Sequence, residues 1–219
     1  MKTYLAAILG VIVLLIVAGS AFASPVAQLV TDPSTVVWNY YVDWGSHPTL
    51  GTSLSPMNAT SNGGMDVTVS DFGVFLLMTQ GQSGNGGNFT NGDNIIEDPF
   101  DADSIVVSFA TPVYSGGAQM MSNGLGAFTG YIKAYDSSNN LLGSFSEAGN
   151  ANYNADDSAI FIGVKSLTAD IAKLEFSTNS GRGGVMINRL EMQAVPEPGS
   201  LCALATGLGS LAFFVRKRK

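Results

Sequence analysis

Between Ser24 and Val195 apolar and polar residues alternate with a period of two, the spacing of half-buried β-strands. Met65 to Ser70 sets Met and two Val against Asp, Thr and Ser, and Ser104 to Ala110 puts Ile105, Val107 and Phe109 on one face. Ala127 to Tyr135 puts Phe128, Ile132 and Ala134 on one face and Tyr131, Lys133 and Tyr135 on the other. Asp136-Ser137-Ser138-Asn139-Asn140 then has turn chemistry, and Leu141 to Ser146 reads as the returning arm of a hairpin. Thr35 to Trp44 is β-branched and aromatic, while Phe72 to Thr79 is a nearly unbroken apolar run expected of a central strand. Ala159 to Val164, Ile171 to Phe176 and Val185 to Met192 complete the set; in the last, Leu190 and Met192 alternate with Arg189 and Glu191. No window carries a sustained apolar stripe at helical period. The pattern predicts an all-β fold, an antiparallel sandwich or jelly roll of about 8 to 10 strands.

Two segments depart from this pattern. Residues 1–23 read as a signal peptide: Lys2 is the positive end, Leu5 to Val17 is apolar, and Ala21-Phe22-Ala23 has the small-x-small cleavage pattern, with the cut before Ser24. Residues 195–219 begin Val195-Pro196-Glu197-Pro198, continue with an uncharged run from Leu201 to Val215, and end in Arg216-Lys217-Arg218-Lys219. The prolines make a stiff, extended joint. A helix of about 15 residues is roughly 22 Å long, short of the roughly 30 Å hydrocarbon core, so this is a short transmembrane helix that needs a thinned bilayer or a protein receptor. The basic end is a stop held on the cytoplasmic side. Both precursor termini are thus expected in the cytoplasm, flanked by a signal helix and a tail helix. Residues 24–194 form the exported domain.

The order of Pro196-Glu197-Pro198, short apolar span and basic terminus resembles the PEP-CTERM sorting domain of Gram-negative bacteria. That resemblance implies a membrane-embedded processing enzyme of the exosortase type, a transient stay in the inner membrane, and release or transfer to the cell envelope, the outer surface or the medium. A second resemblance lies upstream, in Phe109-Ala110-Thr111-Pro112-Val113, Ala134-Tyr135-Asp136, Leu141-Leu142-Gly143-Ser144, Phe161-Ile162-Gly163-Val164 and Ile171 to Phe176. These look like the β-sandwich found ahead of many such tails, similar to galactose-binding-like jelly rolls. Members often close with an Ile-Asp-Asp/Asn-Leu strand; here the stretch is Ile187-Asn188-Arg189-Leu190, without the acidic residue.

Charge narrows the partners. Setting aside Lys2, the four terminal basic residues and Glu197 leaves 5 basic and 16 acidic residues, a net of −11, which argues against nucleic acid or an anionic membrane surface. The only cysteine, Cys202, lies in the tail, so no disulfide supports the exported domain.

Candidate chemistry is sparse. The only histidine, His47, stands beside Pro48 with no nucleophile motif to support it, and no zinc set exists; the expectation is a protein that is not an enzyme. The acidic stretch Asp93 to Asp103, with Asp93, Glu97, Asp98, Asp101 and Asp103, has the hard oxygen ligands a structural Ca²⁺ takes, set against the reading of a solvated acidic loop. Apart from that candidate no cofactor is expected. Trp38, Tyr40 and Trp44 share strand parity with Val42, as a glycan-stacking platform or as one face of the core. Asn58 and Asn88 each head an Asn-x-Thr triplet. The leading expectation is a structural or adhesive protein of the envelope or extracellular matrix, and the alternative is a carbohydrate-binding module on exopolysaccharide.

Overall fold

The computed structural model describes residues 27–46, 55–70, 75–81, 86–99, 104–179 and 184–195. The signal segment with Ala21, Ala23 and Ser24, the loop residue His47, Asp101, Asp103, and the tail from Pro196 to Lys219 lie outside the described residues.

Two antiparallel sheets face each other. The six-stranded sheet runs β10 (Leu141–Ala151), β9 (Gly126–Tyr135), β12 (Ile171–Thr178), β7 (Ile105–Val113), β4 (Asp66–Ser70), β3 (Met57–Thr60). The eight-stranded sheet runs β1 (Gln28–Val30), β11 (Ile160–Lys165), β8 (Ser115–Ser122), β13 (Val185–Ile187), β6 (Asn94–Glu97), β5 (Leu76–Thr79). Its side branch is β14 (Leu190–Gln193), which pairs with both β8 and β2 (Tyr40–Val42). The sandwich predicted from alternation is present. Its inward residues, among them Val107, Phe109, Ile132, Ala134, Leu174, Phe176, Leu190 and Met192, make one continuous core. A smaller cluster of Met78, Phe89, Ile95, Met121 and Met186 gathers around Phe89.

The differences from the sequence reading are local and physical. The fourteen described strands exceed the expected number because β1, β3 and β6 are only three or four residues long and β8 opens on Ser-Gly-Gly. Thr35 to Trp44 is not one strand: Pro33–Thr35 is a 3₁₀ turn capped by Asp32, β2 is three residues long, and Trp44–Ser46 is a second 3₁₀ turn. The apolar run ending at Thr79 contributes β5, which is the edge of its sheet rather than its centre. The acidic stretch after Asp93 is likewise no solvated loop at its start, since Ile95 and Ile96 of β6 are buried.

The central strand of the larger sheet is β8, whose Ser-Gly-Gly start reads as a turn in sequence. Gly117 lies against Gly163 of β11 so closely that a Cβ there would stand 2.6 Å from the Gly163 Cα. The two glycines let Phe161 fold its ring over the outer face of the strand pair, with Cζ at 3.0 Å from the Cβ position of Gly117.

Candidate functional site: an open polar cleft on the larger sheet

β13 and β14 lie along the same edge of β8, but they do not form one regular strand. Ile187 pairs with Met120 and Glu191 with Gly117, so Asn188, Arg189 and Leu190 stand opposite only Gln119 and Ala118. This is a β-bulge, and it re-aims side chains. It also changes partners: β13 hydrogen-bonds onward to β6, whereas β14 hydrogen-bonds onward to β2. The gap between β6 and β2 is closed by side chains. Asn94 donates Nδ2 to Asp43 Oδ1 at 2.9 Å and accepts from the Thr79 hydroxyl at 3.1 Å.

An open cleft of about 720 Å³ covers this discontinuity on the outer face of the sheet. On its floor a continuous polar chain joins four segments of the chain. Gln119 Nε2 donates to Asp157 Oδ1 at 3.0 Å, and Asn188 Nδ2 donates to Gln119 Oε1 at 2.6 Å and to Asp93 Oδ2 at 3.3 Å. Asp93 Oδ2 in turn accepts from the Thr90 backbone N–H at 3.2 Å. Trp38 and Phe161 make the aromatic wall, with ring centroids 5.6 Å apart and planes at 55°. The Trp38 indole N–H is held by the Pro33 carbonyl at 2.8 Å, so the ring is oriented rather than loose. Four carboxylates line the cleft, from Asp43, Asp93, Asp157 and Glu191, against one guanidinium, Arg189. Arg189 hydrogen-bonds Glu191 and stands over the Tyr41 ring, 4.9 Å from its centroid.

Asp157 enters the cleft from a loop with unusual backbone. Tyr153, Ala155 and Asp157 all have positive φ, at 58°, 51° and 60°. Asn88, fully buried, holds that loop through four hydrogen bonds: its amide donates to the Asn150 carbonyl and the Ser158 hydroxyl, and its oxygen accepts from the backbone of Asn152 and Tyr153. Left-handed conformations in non-glycine residues are costly and persist where surrounding contacts determine them.

The structure separates the residues that the sequence grouped. Trp44 is buried in the core at 1 % exposure, and its indole N–H donates to the Asn188 carbonyl at 2.7 Å. Tyr40 is half-buried, with its ring packed over Gly63, and Trp38 alone of the three reaches the cleft. A single Trp38–Tyr40–Trp44 platform is therefore corrected to a Trp38–Phe161 pair. The acidic set is also divided. Asp93 joins the cleft, while Glu97 and Asp98 lie buried at the other end of β6. Burial, then the neighbouring Asp98 charge, holds the Glu97 carboxyl above the usual range, and Asn123 donates its amide to it. Among the described residues no group of three His, Cys, Asp or Glu side chains is placed to hold a metal ion. Gln119 and Phe161 were not singled out as site residues in sequence; the one available signal was Asn188, polar at a position that alternation with Leu190 and Met192 makes inward.

Residues 194–219 match the family model described as the PEP-CTERM protein-sorting motif. The chain carries a PEP-CTERM tail. It marks an exported protein sorted at the membrane; among the described residues no helix is long and apolar enough to cross one. The PEP-CTERM tail starts where the fold ends, because Ala194 is fixed by Asn39, which donates to its carbonyl at 2.9 Å and accepts from its N–H at 2.8 Å. No curated protein sequence matches the chain. Among solved structures, CsCBM6-3 from Clostridium stercorarium in complex with cellobiose is 14% identical over 57% of this chain and 87% of its own, with a TM-score of 0.33. A DUF4465 family protein from Bacteroides caccae is 12% identical over 76% and 99%, with a TM-score of 0.39. The C-terminal CBM6 of LamC from Zobellia galactanivorans is 10% identical over 71% and 99%, with a TM-score of 0.25. At scores this low none of them bears on function.

Proposed function

We propose that the protein is an exported, non-catalytic component of the cell envelope or extracellular matrix that holds neutral glycan in the cleft of its larger sheet. The observation that carries this reading is the Trp38–Phe161 pair standing at the side of an open floor of amides and carboxylates. A sugar ring offers an apolar C–H face to such rings and hydroxyls to such oxygens and amides. The excess of carboxylates disfavours polymers that carry a negative charge on each residue. The reading assigns no cofactor. A processing enzyme of the exosortase type acts on the tail during a transient stay in the inner membrane, and the domain is then delivered to the outer surface or the medium.

A glycan array probed with the secreted protein tests the site. Selective binding to neutral glycans, reduced at least tenfold by Trp38→Ala and by Phe161→Ala with the circular dichroism spectrum unchanged, is expected. No bound glycan, or binding indifferent to both substitutions, overturns the reading. The intact mass of the mature protein tests the processing; it should lack residues 1–23 and the segment beyond Pro198.

A further inference from the structure

Among the described residues the sandwich has one long open edge. β10 ends the six-stranded sheet with eleven residues, whereas the other terminal strands, β3, β1, β5 and β2, have four, three, four and three. Long edges of soluble proteins are blunted by lysine, proline, bulges or a covering segment. β10 reads Leu-Leu-Gly-Ser-Phe-Ser-Glu-Ala-Gly-Asn-Ala, with Glu147 its single charge and no proline or lysine. Its irregularity against β9 is confined to Leu141/Gly143, so the strand is regular from Gly143 to Ala151.

The backbone shows which way the edge faces. The Asn150 carbonyl accepts from the Asn88 side chain at 2.7 Å, so Asn150 turns its backbone groups away from β9. By the alternation of an antiparallel ladder, Ser144, Ser146 and Ala148 do the same. Their outward N–H and C=O groups have no partner among the described residues. The side chains of Ser144, Ser146 and Ala148 are themselves small and exposed, whereas Phe145 and Glu147 between them are half-buried.

We propose that this edge pairs with β10 of a second copy of the chain. The strand is complementary to itself. An antiparallel two-fold through Ser146 sets Ser144 opposite Ala148, and the new ladder stops short of Asn150, whose carbonyl Asn88 already holds. Every such pair joins residues whose backbone groups face outward, as the ladder requires. In the same register Glu147 meets Phe145, so the one charge avoids its own copy, where like charges opposite each other would oppose pairing. The two six-stranded sheets become one of twelve strands, and the closed isologous contact stops at a dimer. Each dimer then carries two clefts, one per copy.

Cysteine cross-linking tests the register, because the exported domain has no cysteine of its own. The full-length chain carrying Cys202→Ser receives Ser146→Cys, Ser144→Cys, or Ser144→Cys with Ala148→Cys. A two-fold at position 146 puts that residue about 5.5 Å from its copy, inside disulfide range. Position 144 is about 14 Å from its copy, counted along four residues of strand, and out of range. Mild oxidation is therefore expected to give a disulfide dimer at 146 and in the double variant, and little from 144 alone. Sedimentation should show a concentration-dependent dimer weakened at least tenfold by Ser146→Lys, a substitution at an exposed position. A monomer at every concentration without cross-linking at 146 overturns the proposal. Equal cross-linking at 144 and 146 does so too, since it points to association through another part of the chain.

Discussion

The backbone N–H of Gln119 donates to the side-chain Oδ1 of Asn188 at 3.2 Å, where a regular ladder would supply a backbone carbonyl. The Asn188 carbonyl is engaged elsewhere, by the Trp44 indole at 2.7 Å. One asparagine thus repairs the ladder at the bulge and presents its amide to the cleft. Asn188→Ala leaves the Gln119 N–H without that acceptor and should cost about 1–3 kcal/mol, read as a lower denaturation midpoint at unchanged m-value. Asn188→Asp sets a carboxylate beside Asp93 and should be destabilising at neutral pH and less so in acid.

The two tryptophans should respond in opposite ways. Trp44→Ala empties a buried site and should cost about 3–5 kcal/mol, while Trp44→Phe, which loses mainly the indole N–H, should cost about 1–2 kcal/mol. Trp38→Ala removes a half-buried ring and should cost about 1 kcal/mol in stability while abolishing glycan retention. Chemical denaturation of all three, run beside affinity electrophoresis, separates the roles.

Glu97 should make stability depend on pH. Its folded carboxyl is held above the ordinary glutamate value of 4.5 by burial and by Asp98. The folded state therefore takes up the proton before the unfolded chain does. This stabilising contribution is complete below the unfolded value and is lost as pH rises through the folded one. Glu97→Gln should flatten that part of the profile and raise the urea midpoint at pH 7, with little change in acid. An unchanged profile would show that Glu97 ionises without cost.

Asn88 heads an Asn-Phe-Thr triplet, yet its side chain is inside the protein with both ends occupied. Asn88→Ala removes four hydrogen bonds and should cost about 2–4 kcal/mol. Amide exchange should accelerate most at residues 150–158, because that loop holds Tyr153, Ala155 and Asp157 at positive φ. Glycan affinity should fall as Asp157 loses its position.

Deleting Arg216, Lys217, Arg218 and Lys219 removes the charges expected to hold the tail at the cytoplasmic face. The product should be unprocessed or misdirected, visible as a heavier mass in membrane fractions.

The sandwich was legible wherever strands alternate cleanly. The Phe128-Ile132-Ala134 face of β9 and the Leu190-Met192 face of β14 lie in the core as their spacing implies. The turn at Asp136 to Asn140 was equally readable, since Asp136 accepts from the backbone of both Ser138 and Asn140. β8 escaped notice because its requirement is for the absence of side chains at Gly116 and Gly117, and glycine ordinarily signals a turn. The cleft was hidden for a different reason. Trp38, Gln119, Asn188 and the Asp157–Phe161 pair come from four separate stretches, and only strand pairing and one bulge bring them together. Trp44 was grouped with Trp38 by parity; Val42 and Trp44 do share the core, whereas Trp38 precedes β2 in irregular backbone and lines the cleft.

β14 sits between β8 and β2, and Asn39 fastens the residue just after it. Any load borne by the chain beyond Val195 enters the domain along the axis of an interior strand. Separating that strand means shearing two ladders at once, in contrast to an edge strand, which peels one bond at a time. The domain is thus built to be held by its C-terminal end, and tension there should be carried into the middle of the larger sheet.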